Sequence, residues 1–461
     1  MKNFSKNYAY EKNNTHIDFK IKILDCVGAS SMYYSTISLR RLAKIFILKS
    51  IDFCANHIKE KQMLYRKMPK NNDELSILGF GCMRLPLTKE GQIDEQRSVR
   101  QIRDAIDQGV NYLDTAWPYH AGESENVLGR ALTDGYRQKV KIATKLPSWI
   151  IKKTEDMDQF LNAQLDKLKT DCIDYYLIHN LAGDMWDHLD KLGVKDFLDR
   201  AIKEGRIINP GFSFHGKLDD FKRIVDAYPW QFCQIQYNYL DTQNQAGTEG
   251  LKYAASKNLG IVIMEPLRGG NLGIPEPPPV IASLWGEAKT KRTPAEWSLR
   301  WIWNHPEVTV VLSGMNEESH IQENLAIADQ AYPDSLTKEE LLLIEKVGRK
   351  YQEIMKVACT GCRYCIPCPS DVDISTCFEI YNKRHMFGNL EEAKFMYAAR
   401  LSGLLTSRSG YASQCIQCGE CLEKCPQSIA IPDNLEQVVK ELEGPDLKEI
   451  EGMVKKMLNI K

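Results

Sequence analysis

The chain has 461 residues, enough for one large domain and a smaller one, with 60 lysines and arginines against 61 acids. A net charge of −1 gives no electrostatic footing for nucleic acid or an anionic membrane surface. No apolar run reaches bilayer length, and eight of the fourteen cysteines crowd at C-x-x-C spacing, which points to metal ligation in a reducing, cytoplasmic setting.

Residues 1–62 read as an N-terminal extension, expected to be poorly ordered. Its stretch Ser38–Lys61 has helical apolar spacing, but "IFIL" is too short for a secretion signal. From Ser76 onward, short β-branched runs alternate with amphipathic stretches. The strand candidates are "SILGFG", "VNYLDTA", "VKIATKL", "IDYYLIHN", "IINPGFSF", "FCQIQYNY", "GIVIMEPL" and "VTVVLSG". Between the first two, Asp94–Gln108 places Val99, Ile102 and Ile106 on one helical face. Eight strands each followed by a helix is the count of a (β/α)8 TIM barrel, spanning 63–335. An open doubly wound sheet would carry G-x-G-x-x-G between strand and helix. The nearest stretch, "GFGCMR" from Gly79, lacks the third glycine.

Barrel enzymes place their chemistry at the C-terminal ends of the strands. Read in order, those ends carry Asp114 and Tyr119, then Lys145, then His179, then Ser213 and Gln234. Singly, each has an ordinary explanation, such as a solvated lysine or a structural histidine. Together they suit proton transfer. Hydride addition to a carbonyl builds charge on oxygen that must be protonated in the same event. A tyrosine ordinarily holds its proton to a pKa of about 10, and an adjacent ammonium favours the phenolate. An aspartate holds the ammonium, and a neutral histidine donates a hydrogen bond to the carbonyl.

In "DTAWPY", "KIATKLP" and "YYLIHN" the sequence resembles the aldo/keto reductase family over roughly Met63 to Tyr332. The resemblance implies an Asp114–Tyr119–Lys145–His179 tetrad and an NAD(P)H cofactor. It places Ser213 and Gln234 at the nicotinamide carboxamide, Gly81, Cys82 and Met83 beside cofactor and substrate, and Met264 on the nicotinamide face. Gly269 and Gly270 fall at the pyrophosphate, and Ser313, Gly314, Met315, Glu323 and Asn324 at the adenosine end. Phe214 stands where asparagine usually follows the serine, and Met264 replaces a stacking ring. Gly314 and His320 replace basic residues that grip a 2′-phosphate. NAD and NADP therefore stay open, with Arg268 as a candidate to compensate. Trp117 and Trp149 are candidates for an aromatic pocket, with ordinary packing as the equal alternative.

Residues 336–356 read as a helical connector. Beyond it stand Cys359, Cys362, Cys365 and Cys368, and then Cys415, Cys418, Cys421 and Cys425. The second run has the bacterial ferredoxin spacing C-x2-C-x2-C-x3-C-P, and the first is one residue shorter before its last cysteine. Zinc is the alternative for paired C-x-x-C units. In two-cluster ferredoxins the fourth cysteine of each run ligates the other cluster. Cys368 would then join Cys415, Cys418 and Cys421, and Cys425 would join the first three. The helical stretch between the runs makes 357–461 resemble an α-helical ferredoxin domain with two [4Fe–4S] clusters, in a fusion known among aldo/keto reductases.

A nicotinamide gives two electrons as hydride, whereas each cluster accepts one, and no flavin signature is present. The clusters are therefore expected to act apart from the barrel, toward a redox partner protein or in a structural or sensing role. The predicted function is interconversion of a small aldehyde or ketone with its alcohol. The alternative is an iron–sulfur electron-transfer or sensing protein whose barrel binds nicotinamide without turnover.

Overall fold

The computed structural model describes residues 63–404 and 408–457. The expectation for residues 1–62 lies outside them. An antiparallel hairpin comes first, from β1 (Tyr65–Lys67) and β2 (Glu74–Ser76). Eight parallel strands then close a barrel in chain order: β3 (Leu78–Gly81), β4 (Tyr112–Asp114), β5 (Lys141–Leu146), β6 (Ile173–Leu181), β7 (Ile207–Phe214), β8 (Phe232–Gln236), β9 (Gly260–Met264) and β10 (Val310–Ser313). Each centres on one of the runs read from the sequence. The hairpin was not predicted, because three-residue strands are too short to show an alternation.

Inward side chains of Tyr112, Tyr175, Phe232, Val262 and Val310 fill the barrel, and Met68 and Leu75 of the hairpin join them from below. The N-terminal end is thereby plugged, leaving the opposite end for chemistry. Helices cover the outside. The first, Glu95–Asp107, is capped by Asp94, whose side chain accepts from the Arg97 N–H at 3.0 Å. Its Ile102 and Ile106 are buried, with Val99 partly so.

The connector forms a helix, Lys338–Ile354, opened by a capping box of Thr337 and Glu340. Its Ile344, Val347 and Tyr351 pack with Tyr239, Leu240 and Trp285, so it is fastened to the barrel. Helices Ile374–Phe387, Leu390–Leu401, Ile431–Leu442 and Leu447–Met457 follow. They build a separate core around Phe378, Tyr397, Leu435 and Val438. Cys377 and Cys233 are buried thiols of the two cores, as ordinary scattered cysteines should be. No helix among the described residues is long and apolar enough to cross a membrane.

Candidate active site and cysteine cavities

Adjacent strand ends bring the four predicted catalytic side chains together. Asp114 closes β4, Lys145 lies near the end of β5, and His179 lies near the end of β6. Tyr119 opens a turn after β4 in which His120 and Ala121 both take positive φ, 52° and 54°. Lys145 is fully buried; its ammonium donates to both Asp114 oxygens, at 2.7 and 2.8 Å, and to the Thr115 carbonyl at 2.7 Å. The Tyr119 hydroxyl is 3.5 Å from Lys145 Nζ. Burial raises the Asp114 carboxyl and lowers the Lys145 ammonium, and each shift is opposed by the other group's charge.

The predicted lowering of the Tyr119 pKa is not found. Burial pushes the hydroxyl well above its ordinary value, and Tyr364, Asp114 and Glu265 push it further. The short bonds of Lys145 go to Asp114 and Thr115, so burial outweighs a distant ammonium. Tyr119 is thus a protonated donor at neutral pH. His179 behaves as predicted: burial, Lys145 and His215 hold it well below the ordinary histidine value, so it is a neutral imidazole. Its Nε2 is 3.0 Å from the Tyr364 hydroxyl, and its buried Nδ1 has no hydrogen-bond partner.

A cavity of about 470 Å³ opens above these groups. Gly81, Met83, Gln234 and Met264 line it near the tetrad, and Gly270, Ser313, Gly314, Glu323 and Asn324 line its far end. The Ser213 hydroxyl accepts from the Asn180 N–H at 2.8 Å. Beside it the carbonyl oxygens of the Asn180 and Gln234 side chains are buried without partners. Gln234 lines the same cavity as Tyr119, so its orphaned acceptor fits an amide N–H group of a nicotinamide, whereas Ser213 and Asn180 are not among the residues that line it. Asn180, which ends "YYLIHN", was passed over in the sequence. At the far end the Asn324 amide donates to the Ser313 hydroxyl at 2.9 Å, and the Thr293 hydroxyl donates to Glu323 at 2.6 Å.

Several predicted contacts move. Cys82 and Met315 turn their side chains into the outer core, at 0 % and 1 % exposure, which leaves only their backbone for a cofactor. Gly269 stays on the cavity wall and also seats a neighbouring loop: at φ 68°, a Cβ there would come within 1.9 Å of the Thr360 carbonyl oxygen. Arg268 is buried, ion-paired to Asp241 at 3.1 Å and donating to the Ala358 carbonyl, so it is unavailable to a phosphate. Arg84 is nearer, its side chain lying over Gly314. Trp117 packs edge-on against Phe160 beneath Lys167, away from the cavity. Trp149 does reach the site, 5.2 Å from the His179 ring.

The eight clustered cysteines border two further cavities. One, of about 20 Å³, is lined by Cys359, Cys362, Cys365 and Cys425. The other, also of about 20 Å³, is lined by Cys368, Cys415, Cys418 and Cys421, with Cys365 among its neighbours. Each gathers three cysteines of one run and the last of the other. Among the described residues no three such side chains converge as ligands of a single ion do. Four thiols around each cavity are the donor set that a [4Fe–4S] cluster takes.

Both cysteine loops sit on the barrel mouth. Thr360 donates to Glu265 at 3.3 Å, Gln245 donates to the Pro426 carbonyl at 2.7 Å, and Gln427 exchanges hydrogen bonds with Gln236. Cys362 and Tyr364 line the same cavity as Tyr119. The first cysteine run therefore borders the carbonyl cavity itself, a proximity that the sequence did not signal. Burial also raises Glu265, at the end of β9, to about 7. Neither Glu265 nor Tyr364 had a signal in the sequence, since neither belongs to a strand-end pattern or a ligand set.

Residues 77–276 match the aldo/keto reductase family. The barrel belongs to that family. Residues 358–430 match a 4Fe-4S dicluster domain. A probable aldo-keto reductase of Glycine max is 25 % identical over 292 residues, covering 56 % of this chain and 82 % of that protein. L-galactose dehydrogenase of Arabidopsis thaliana is 24 % identical over 293 residues, covering 59 % and 91 %. Among solved structures, an aldo-keto reductase from Bacillus halodurans in its holo form superposes with a TM-score of 0.53 at 26 % identity, covering 62 % of this chain and 96 % of that one. The chain is an oxidoreductase of this family with an iron–sulfur domain fused behind the barrel.

Proposed function

We propose that the protein interconverts an aldehyde or ketone and its alcohol with NAD(P)H, in a reducing cytoplasm, through Asp114, Tyr119, Lys145 and His179. The observation that carries this reading is the buried Lys145–Asp114 pair beneath the Tyr119 hydroxyl, next to a neutral His179. A bound reduced nicotinamide supplies the hydride. Gln234, Asn180 and Ser213 are the residues that would hold its amide end. Tyr119, kept protonated by burial, gives its proton to the oxygen on which charge gathers. Lys145, held by Asp114, stabilises the phenolate left behind.

The two cysteine cavities are read as [4Fe–4S] sites, Cys359, Cys362, Cys365 and Cys425 holding one and Cys368, Cys415, Cys418 and Cys421 the other. The test is Tyr119→Phe, which keeps the ring and removes the proton donor. Cofactor oxidation over a panel of carbonyls should fall below detection while nicotinamide binding, followed by fluorescence, stays near the parent's. Turnover at the parent rate would refute the tetrad assignment.

A further inference from the structure

The loop of the first cysteine run ends inside the reductase site. Tyr364 lies between Cys362 and Cys365, with its hydroxyl 3.0 Å from His179 Nε2. Its ring stands edge-on to His179 and Trp149, with centroids 6.2 and 6.4 Å away. A neutral imidazole carries one ring proton. Since Nδ1 has no partner, Nε2 is the nitrogen engaged, and it is engaged with Tyr364. For His179 to hold a substrate oxygen directly, Tyr364 would have to leave. The loop is built against leaving. Arg363 is paired to Asp373 at 3.7 Å, and Thr360 is seated on Gly269 and bonded to Glu265. The cysteines on either side of Tyr364 face one cavity with Cys359 and Cys425.

We propose that Tyr364 is a catalytic residue of the carbonyl site, supplied by the cysteine-rich domain. The His179 Nε2–H donates to the Tyr364 hydroxyl oxygen, and the Tyr364 O–H donates to the substrate oxygen beside Tyr119. This rests on the tetrad reading above. In the step, hydride adds to the carbonyl carbon, the π pair moves to oxygen, and the proton comes from Tyr119. Tyr364 keeps its own proton and stabilises the developing charge. The carbonyl site is then complete only when the first cysteine run is folded in place.

The test compares Tyr364→Phe, His179→Gln, their double variant and Tyr119→Phe in anaerobically prepared protein, with benzaldehyde as the carbonyl probe. Tyr364→Phe keeps the ring packing, so iron content and nicotinamide affinity should match the parent. The kcat should fall on the order of a hundredfold, the loss typical of one oxyanion donor. Because His179 acts through Tyr364, the double variant should be no slower than the slower single variant. Parent-like kcat in Tyr364→Phe, or additive losses in the double variant, overturns the proposal while Tyr119→Phe remains inactive. Parent-like turnover in Tyr119→Phe, or no turnover by the parent, removes the underlying reading instead.

A second readout needs no turnover and decides the matter if Tyr364→Phe loses iron. Dithionite-reduced parent is given reduced nicotinamide and benzyl alcohol, a pair that cannot react. An alcohol bonded to Tyr364 sits two short links from Cys362 and Cys365, so the paramagnetic resonance of their cluster should shift. An unchanged spectrum at saturating alcohol overturns the proposal.

Discussion

Replacing Gly269 with alanine should damage carbonyl reduction through the cysteine loop, at a position that carries no chemistry itself. A Cβ at residue 269 would meet the Thr360 carbonyl oxygen at 1.9 Å, deep inside the repulsive wall. Ordinary contact begins near 3.5 Å, so Thr360 must retreat by about 1.6 Å. The left-handed backbone of residue 269, at φ 68°, costs a further ~1–2 kcal/mol for any side chain. Thr360 is four residues from Tyr364 on a loop pinned by cysteines, so part of the retreat reaches the Tyr364 hydroxyl and its 3.0 Å bond to His179. A misplacement of about 1 Å at a reacting centre costs on the order of a hundredfold. The expected result is a kcat/KM lowered roughly that much, with iron content retained. The assay is steady-state carbonyl reduction on anaerobic protein, beside iron analysis and a fluorescence titration of cofactor. Gly269 also borders the cofactor cavity, so the titration separates the two effects: nicotinamide affinity should change far less than turnover. Unchanged kcat/KM with full iron would show that the seat of Thr360 on Gly269 does not position the catalytic groups.

Asp114→Asn leaves the Lys145 ammonium buried without its counter-ion; the melting temperature should fall, by calorimetry, as expected for a loss of about 3–5 kcal/mol, and turnover should be lost with it. An unshifted melting temperature would mean that the pair is not held as a buried ion pair. Cys421→Ser should lower iron from about eight to about four atoms per chain yet spare most carbonyl reduction, because its cavity does not border Tyr364. Cys362→Ser should remove comparable iron and most of the activity as well; equal activities in the two variants would contradict the placement of the first run at the barrel mouth. Burial raises Tyr119 and lowers His179, so neither changes charge near neutrality. Neither group should therefore inflect the rate of reduction under saturating substrate near neutrality; the titration expected there is that of Glu265, raised by burial to about 7 in the same cavity, and an inflection near neutrality that survives Glu265→Gln would show that His179 titrates.

The eight barrel strands, the four side chains that meet at adjacent strand ends and the two cysteine runs were all legible in the sequence. Each is a local pattern: alternation of strand and helix, residue type at a strand end, or fixed cysteine spacing. The same locality explains what was missed. Tyr364 is one unremarked letter inside "CRYC", and Glu265 one letter after a strand. Their meaning comes from partners 185 and 95 residues away, His179 and Thr360. The pKa of Tyr119 was misjudged for a related reason, since a list of neighbouring charges omits the desolvation that a covering loop imposes. Arg268 looked like a spare cation in the chain; burial against Asp241 made it a fastener between barrel and cysteine domain. The sequence by itself determined that an aldo/keto reductase barrel and a 4Fe-4S domain share one chain. Only tertiary packing decided that they share one cavity, because docking depends on shape and hydrogen bonds between segments that no local spacing relates.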